Sequence, residues 1–125
     1  MGNRKVLQPG PDHPITIEPT AGRVVVRING EVVADSQNSL TLQESNYPPV
    51  QYIPFSDVAA HGLACTTTTT WCPYKGDAIY YSVTAGDVTV DDAIWAYERP
   101  HPAVAAIAGH VAFYPDKADI TVSDD

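Results

Sequence analysis

Apolar and polar residues alternate in short segments along most of the chain, which is the period of β-strands. The clearest pattern is a pair of β-branched segments, Arg23–Ile28 and Glu31–Ser36, separated by Asn29-Gly30. Asn-Gly favours the type I′ turn of a two-residue hairpin loop, so the sequence predicts a β-hairpin here. Further strands are predicted over residues 15–18, 40–44, 47–53, 63–71, 78–83, 88–90, 94–97, 110–114 and 119–122.

Proline and turn residues leave little room for helices. The chain has 11 prolines among 125 residues, and each one interrupts a helix. We predict only a helical turn over residues 58–61, capped by Ser56 or Asp57, and a short helix over residues 102–108. The length fits one core, so we expect a flexible leader over residues 1–14 and a single β-rich domain over residues 15–125.

The charge of the chain limits its partners. The net charge is −8, with only seven Lys and Arg residues, which argues against nucleic acid and anionic membrane surfaces as partners. No apolar run approaches the ~20 residues of a membrane span, and residues 1–14 contain no apolar signal-peptide core. We therefore expect a soluble, cytoplasmic protein in which Cys65 and Cys72 are free thiols.

Candidate chemistry centres on Cys72-Pro73-Tyr74-Lys75-Gly76, here named the 72–76 loop. Pro73 fits the second position of a turn and Gly76 fits its exit. Such a turn would bring the Lys75 ammonium near the Cys72 sulfur, where a cation favours the nucleophilic thiolate. The alternative is that Cys72 is a small buried apolar residue and Lys75 a solvated or ion-paired one.

Glu44 is a carboxylate in an otherwise apolar pattern. It has the parity of Leu40 and Leu42, and a carboxylate on an apolar face needs a partner. Lys75 is the natural candidate, with Arg23 and Arg27 as alternatives. A Glu44–Lys75 pair at the base of a pocket could bind a small ligand or move a proton. Otherwise Glu44 is a strand-end carboxylate in water.

Several motifs occur in a specific order along the chain. They are Val33-Ala34-Asp35-Ser36, Glu44 with Tyr47-Pro48-Pro49, Tyr52-Ile53-Pro54, Thr70-Trp71 with the 72–76 loop, Trp95-Ala96-Tyr97 and Gly109-His110-Val111-Ala112-Phe113-Tyr114. This order resembles the bacterial and fungal domain of unknown function 427 family, to which some classifications attach a nucleotidyltransferase label. The resemblance implies a mostly-β single domain, a tent-like arrangement of curved antiparallel sheets with one or two short helices.

Common catalytic and metal-binding spacings are missing from the sequence. The four histidines are dispersed, and no His-x-His, Cys-x-x-Cys or His-Glu-x-x-His spacing occurs. The chain also contains no Walker-type phosphate loop, no Asp-x-Asp pair and no Gly-x-Ser-x-Gly motif. We therefore predict neither a metal nor a cofactor.

The motif residues include many aromatic side chains that could stack on a planar ligand or form an ordinary β core: Tyr52, Trp71, Tyr74, Tyr80, Tyr81, Trp95, Tyr97 and Tyr114. Our leading hypothesis is a domain that binds a small polar or anionic ligand, with Lys75 supplying positive charge. The predicted ligand-binding residues are Glu44, Tyr52, Cys72, Tyr74, Lys75 and Trp95.

Two alternatives stay open at this stage. The first is an enzyme that uses Cys72 or Lys75 as nucleophile or as acid or base. The second is a structural or protein-interaction module, whose exposed strand edges could pair as a homodimer.

Overall fold

The structure, a computed structural model, describes residues 5–59 and 62–124 and is mostly β. This part of the chain forms ten strands and two short 3₁₀ helices. The strands are β1 (Ile15–Pro19), β2 (Arg23–Ile28), β3 (Glu31–Ser36), β4 (Leu40–Glu44), β5 (Val50–Pro54), β6 (Leu63–Cys72), β7 (Gly76–Ala85), β8 (Val88–Ala96), β9 (His110–Phe113) and β10 (Asp119–Ser123). The helices are η1 (Phe55–Asp57) and η2 (Pro102–Ile107).

The strands form two antiparallel sheets, as expected for the mostly-β class. The large sheet has seven strands in the order β1-β4-β5-β9-β8-β7-β6, and the small sheet has three in the order β10-β2-β3. Alternate residues of both sheets meet in one buried core, which includes Val24, Val26, Ile28, Val83, Ile94 and Val111. The two sheets therefore pack against each other through this core.

A second apolar cluster covers the opposite face of the large sheet. Tyr80 belongs to this cluster, whereas its neighbour Tyr81 packs against the main core. Successive side chains of a strand point to opposite faces, so the two clusters lie on either side of β7. Val104 and Ile107 of η2 are fully buried in the second cluster. This second face carries the candidate site.

The predicted β2–β3 hairpin is confirmed. Ile28 pairs with Glu31, and Asn29 and Gly30 both have positive φ, of 55° and 76°, as a type I′ turn requires. Further down the hairpin the register shifts between Val26 and Arg27, so a bulge interrupts the ladder.

The predicted helical turn over residues 58–61 is wrong in its placement. The helical turn is η1, at Phe55–Asp57, and Val58 already forms a β-bridge with Ala34. Pairing with β3 holds this backbone extended, since the Ala59 amide also donates to the Val33 carbonyl. Ala60 and His61 lie outside the described residues.

Other strand boundaries differ from those predicted. The strand expected from Tyr47 begins at Val50, because Pro48 and Pro49 have no N–H to donate to a neighbouring strand. The two short segments predicted over residues 88–97 form one strand, β8, which bends where Asp92 adopts a φ of 51°.

The last two strands belong to different sheets. Strand β9 lies inside the large sheet between β5 and β8, and β10 pairs with β2 in the small sheet. Within residues 5–59 and 62–124, no helix has the length and apolarity that a membrane crossing needs.

Candidate functional site

The 72–76 loop is a tight hairpin turn between β6 and β7. Cys72 pairs with Gly76, and the Lys75 amide donates to the Cys72 carbonyl at 3.2 Å, with Pro73 in the second position of the turn. Gly76 has a φ of 115°, which a residue with a side chain rarely adopts. Proline and glycine thus fold the loop as the sequence indicated.

The turn points Lys75 at the end of β4. Its Nζ lies 2.5 Å from Glu44 Oε1, and Lys75 is only 8% exposed. The structure therefore joins the two residues that strand parity suggested as partners. The alternative cation Arg23 instead lies in the small sheet, where it binds Asp35 with a shortest N–O distance of 2.5 Å.

His13 completes this polar cluster, and no sequence pattern indicated its contact with Glu44. Its Nε2 lies 2.7 Å from Glu44 Oε2, and its ring stacks on Tyr74 with centroids 4.0 Å apart. A carboxylate at neutral pH only accepts, so Nε2 carries the hydrogen. His13 lies in the expected leader, far from Glu44 along the chain, so no local spacing could have revealed the contact.

Backbone contacts hold the described part of the expected leader against the domain. The Leu7 amide donates to the Pro73 carbonyl at 3.0 Å, and Gly10 and His13 exchange backbone hydrogen bonds. The Ser45 amide donates to the Pro14 carbonyl at 2.7 Å. These contacts place His13 beside Glu44; the flexibility expected for residues 1–14 stays a prediction.

The protonation of Glu44 follows from these contacts. Burial raises the pKa of Glu44, but hydrogen bonds from Lys75 and His13, together with their charges, lower that pKa more. The net pKa lies below the ordinary value, so Glu44 is a carboxylate near neutral pH. Each of its oxygens then accepts a hydrogen bond from a titratable side chain.

A cavity of about 240 Å³ adjoins the Glu44–Lys75 pair, and both residues line it. We name it the aromatic cavity, since most of its wall is contributed by Tyr47, Tyr52, Tyr80, Trp95, Tyr97 and Tyr114. Hydrogen bonds fix several of these rings. The Trp95 indole donates to the Tyr52 hydroxyl at 3.2 Å, and the Tyr114 hydroxyl donates to that of Tyr80 at 3.3 Å.

Two hydrogen-bond donors on the cavity wall are not fully used. Lys75 Nζ carries three hydrogens, and Glu44 is its acceptor among the described residues. The Tyr52 hydroxyl accepts from Trp95, and within residues 5–59 and 62–124 its own hydrogen has no acceptor. Burial raises the pKa of Tyr52, so this phenol stays protonated. The wall therefore offers donors to a molecule in the cavity.

The six predicted ligand-binding residues occupy different positions. Glu44, Tyr52, Lys75 and Trp95 line the aromatic cavity. Cys72 is half-buried and packs against the second apolar cluster, next to the cavity. Tyr74 stacks on His13 instead. Their roles in binding stay predictions.

Metal ligands are not grouped in the described part of the chain. Residues 5–59 and 62–124 contain no set of three or more His, Cys, Asp or Glu side chains arranged to hold an ion.

Comparison with known families matches residues 16–124 to the domain of unknown function 427. A search of curated proteins gives no match. The matched segment includes both sheets except Ile15, the 72–76 loop and every residue named above as lining the aromatic cavity, while His13 precedes it. The family also carries a nucleotidyltransferase label in its name. Because the match covers most of the chain, this protein belongs to the domain of unknown function 427 family.

Proposed function

We propose that the protein binds a small planar molecule with a carboxylate or carbonyl group in the aromatic cavity. The observation that carries this proposal is the buried ammonium of Lys75, which lines the cavity and has hydrogens that no acceptor within residues 5–59 and 62–124 uses. Burying an ammonium is costly unless its hydrogens are bonded. A ligand oxygen would supply the missing acceptor.

The two unused donors define the polar end of the ligand. Lys75 and Tyr52 each offer an N–H or O–H to the cavity, whereas both oxygens of Glu44 already accept. Glu44 also neutralises the charge of Lys75. Recognition would therefore rest on hydrogen bonds to a carbonyl or carboxylate oxygen rather than on a strong positive field.

The walls and the volume define the rest of the ligand. Pockets that bind drug-sized molecules have volumes of roughly 300–1,000 Å³, and the aromatic cavity, at about 240 Å³, falls below that range. Its walls are largely aromatic rings, which favour flat molecules because they offer stacked or edge-on contacts. We therefore expect a compound with a single ring.

NMR titration with benzoate and benzamide tests this proposal. We expect either probe to shift the Lys75 amide and the Trp95 indole signals in a saturable manner. Lys75→Met should weaken binding by roughly tenfold, because a hydrogen bond to a charged donor contributes about 1.5–3 kcal/mol. Arg27→Met, which removes an exposed cation from the small sheet, is the matched control and should bind as the wild type does.

Two results would contradict the proposal. One is the absence of saturable shifts with either probe. The other is unchanged affinity in a Lys75→Met variant whose spectrum shows that it is folded.

A second candidate function, proton transfer, is favoured by the position of Glu44. Glu44 lines the aromatic cavity as a carboxylate, so it is placed to take a proton from a bound carbonyl compound, as a weak base because Lys75 and His13 lower its pKa. Exchange of carbon-bound hydrogen for deuterium in acetophenone, followed by NMR, would distinguish this enzyme from a binding domain. Loss of the exchange in Glu44→Gln would assign the base. Nucleophilic catalysis by Cys72 or Lys75 stays a further alternative.

A further inference from the structure

A second cavity, of about 220 Å³, shares Tyr97 with the aromatic cavity. Tyr97 directly follows β8 and lines both cavities. The second cavity also contacts Tyr81 of β7, Phe55 at the start of η1, and His110 at the start of β9. Because Tyr80 and Tyr81 point to opposite faces of the large sheet, the two cavities occupy different faces.

Two rings form an aromatic wall of the second cavity. The Phe55 and Tyr81 centroids are 5.7 Å apart, and their planes are tilted by 54°. Phe55 is 39% exposed, yet its amide donates to the Gly109 carbonyl at 2.9 Å, which fixes the position of its backbone. The backbone that carries the Phe55 ring is therefore held in place, although the ring itself is open to solvent.

The polar groups of the second cavity include two acceptors. His110 Nδ1 lies 3.0 Å from the Ala108 carbonyl, and because a carbonyl only accepts, Nδ1 carries the hydrogen. In the neutral imidazole, Nε2 then has a free lone pair. Glu98 adds an exposed carboxylate, which has no ion-pair partner among the described residues.

The Glu98 carboxylate and the aromatic wall line the same cavity. Burial raises the pKa of Tyr81 above its ordinary value, and the nearby Glu98 carboxylate raises this pKa further. A cation bound between Glu98 and the rings would meet a carboxylate and the negative faces of the aromatic wall. The net charge of −8 likewise favours a positively charged ligand.

We propose that the second cavity binds a small organic cation, an amine, amidine or guanidine attached to a short apolar body. Its N–H groups would donate to Glu98 and to His110 Nε2, and its apolar body would pack on Phe55 and Tyr81. This site differs in chemistry from the aromatic cavity, where the unused groups are donors. It is independent of the function proposed for that cavity.

Titration of the labelled protein with benzamidine, followed by NMR, tests the site. We expect saturable shifts at the amides of Glu98, Gly109 and Val111, and smaller changes at Lys75. Glu98→Gln should weaken benzamidine binding roughly threefold to tenfold, since an exposed ion pair contributes up to about 1 kcal/mol and the amide also loses an acceptor. Glu18→Gln, an exposed carboxylate on β1, is the matched control and should have no effect.

Neutral benzamide has nearly the same shape as benzamidine, so comparing the two affinities separates the effect of ligand charge from that of ligand shape. Binding of benzamide at these amides as tightly as benzamidine would overturn the proposal, as would wild-type affinity in Glu98→Gln. Absence of saturable shifts at residues 98 and 109–111 would overturn it as well. Phe55→Ala provides a second test at an exposed position, and a folded variant that binds benzamidine as tightly as the wild type would contradict the role of the aromatic wall.

Discussion

Lys75 contributes both to the stability of the fold and to the proposed function. Its ammonium is buried against Glu44, and breaking a buried pair leaves a charge that has lost its partner. We expect Lys75→Met to lower the free energy of unfolding by about 2–4 kcal/mol, below the largest losses for such pairs because His13 still binds Glu44. Urea denaturation measures this loss.

Arg27→Met is the control for Lys75→Met at this scale too, and its effect on unfolding should stay within about 0.5 kcal/mol. Equal stability of the two variants would show that the pair at Glu44 contributes nothing to the fold.

The two thiols differ in exposure, and this difference tests the nucleophile hypothesis. Cys65 is exposed on β6, whereas Cys72 is half-buried at the end of that strand. If access controls alkylation, iodoacetamide should modify Cys65 at least several-fold faster than Cys72. Mass spectrometry of peptides after timed quenching measures both rates, and Cys65→Ser isolates the slower one. Faster alkylation of Cys72 would instead support an activated thiolate in the 72–76 loop.

Strand parity accounts for the part of the site that the sequence revealed. Glu44 shares the parity of Leu40 and Leu42, so its carboxylate was expected on the apolar face and in need of a cation. His13 has no such pattern. Its contact with Glu44 depends on how residues 7–14 cross the domain, and a single sequence gives no signal for a contact between such distant segments.

At the scale of elements, the tight β6–β7 turn depends on Gly76. A Cβ at this position would face the Arg99 carbonyl and the His101 ring at 3.4 Å, and the φ of 115° is unfavourable for any side chain. Gly76→Ala should therefore destabilise the protein by about 1–3 kcal/mol. Thermal or urea unfolding measures the change.

Gly10 provides the matched control for Gly76. A Cβ there would meet no atom within 4 Å, so Gly10→Ala should change the stability by less than about 1 kcal/mol. Similar losses in the two variants would contradict the assigned role of the turn.

The segment before β1 should open more often when the His13 side chain, which holds it against the domain, is removed. In His13→Ala, the hydrogen bond to Glu44 and the stacking on Tyr74 are lost, leaving mainly the backbone contacts. Hydrogen exchange at the Leu7 amide should accelerate by roughly tenfold, which corresponds to about 1.4 kcal/mol of local opening. His110→Ala is the control and should leave this exchange rate unchanged; an unchanged rate in His13→Ala would show that the backbone contacts suffice.

Local sequence patterns predicted the strands and turns better than they predicted which strands pair with each other. Asn29-Gly30 specifies the β2–β3 turn through its own backbone preferences. The hairpin could therefore be predicted from a few residues. The helical turn was misplaced because β3 pairs with Val58 and keeps that backbone extended. The neighbour of β10 was not predicted, since its pairing with β2 depends on the whole fold.

For the whole molecule, carboxylates with lowered pKa values set the response to acid. Hydrogen bonding from Arg23 lowers the pKa of Asp35, and hydrogen bonds from neighbouring threonines lower that of Asp92. With Glu44, these groups stabilise the fold at pH values above the unfolded carboxyl pKa of about 4. This stabilisation is lost as the pH falls from there through the lower folded pKa values.

Unfolding free energy measured as a function of pH should therefore fall on the acid side. Glu44→Gln should show a shallower fall, because its amide does not titrate. An acid limb identical to that of the wild type would contradict the lowered pKa of Glu44.

The opposite shift applies to buried tyrosines. Burial raises the pKa values of Tyr52 and Tyr97, so their neutral forms are favoured in the fold. Their contribution is complete below the unfolded pKa of about 10 and declines as the pH rises above it toward the folded values. Stability should therefore also fall on the alkaline side, and Tyr97→Phe should lessen that fall.

Pairing of two copies along a strand edge stays a prediction at this scale. Strands β1 and β6 are the two edge strands of the large sheet. The register of β6 is interrupted between Cys65 and Thr69, so its edge is not continuous. Light scattering after size-exclusion chromatography would give the oligomeric state.

Tyr97 lines two cavities with different chemistry, and this position limits how the sequence can change. Trp95 contacts one of them and Phe55 the other, so substitutions at those positions affect one cavity at a time. A substitution of Tyr97 alters both together, and is pleiotropic in this sense. Selection for ligand binding in either cavity would therefore restrict substitutions of Tyr97. Trp95 and Phe55 would each be restricted by the ligand of one cavity only.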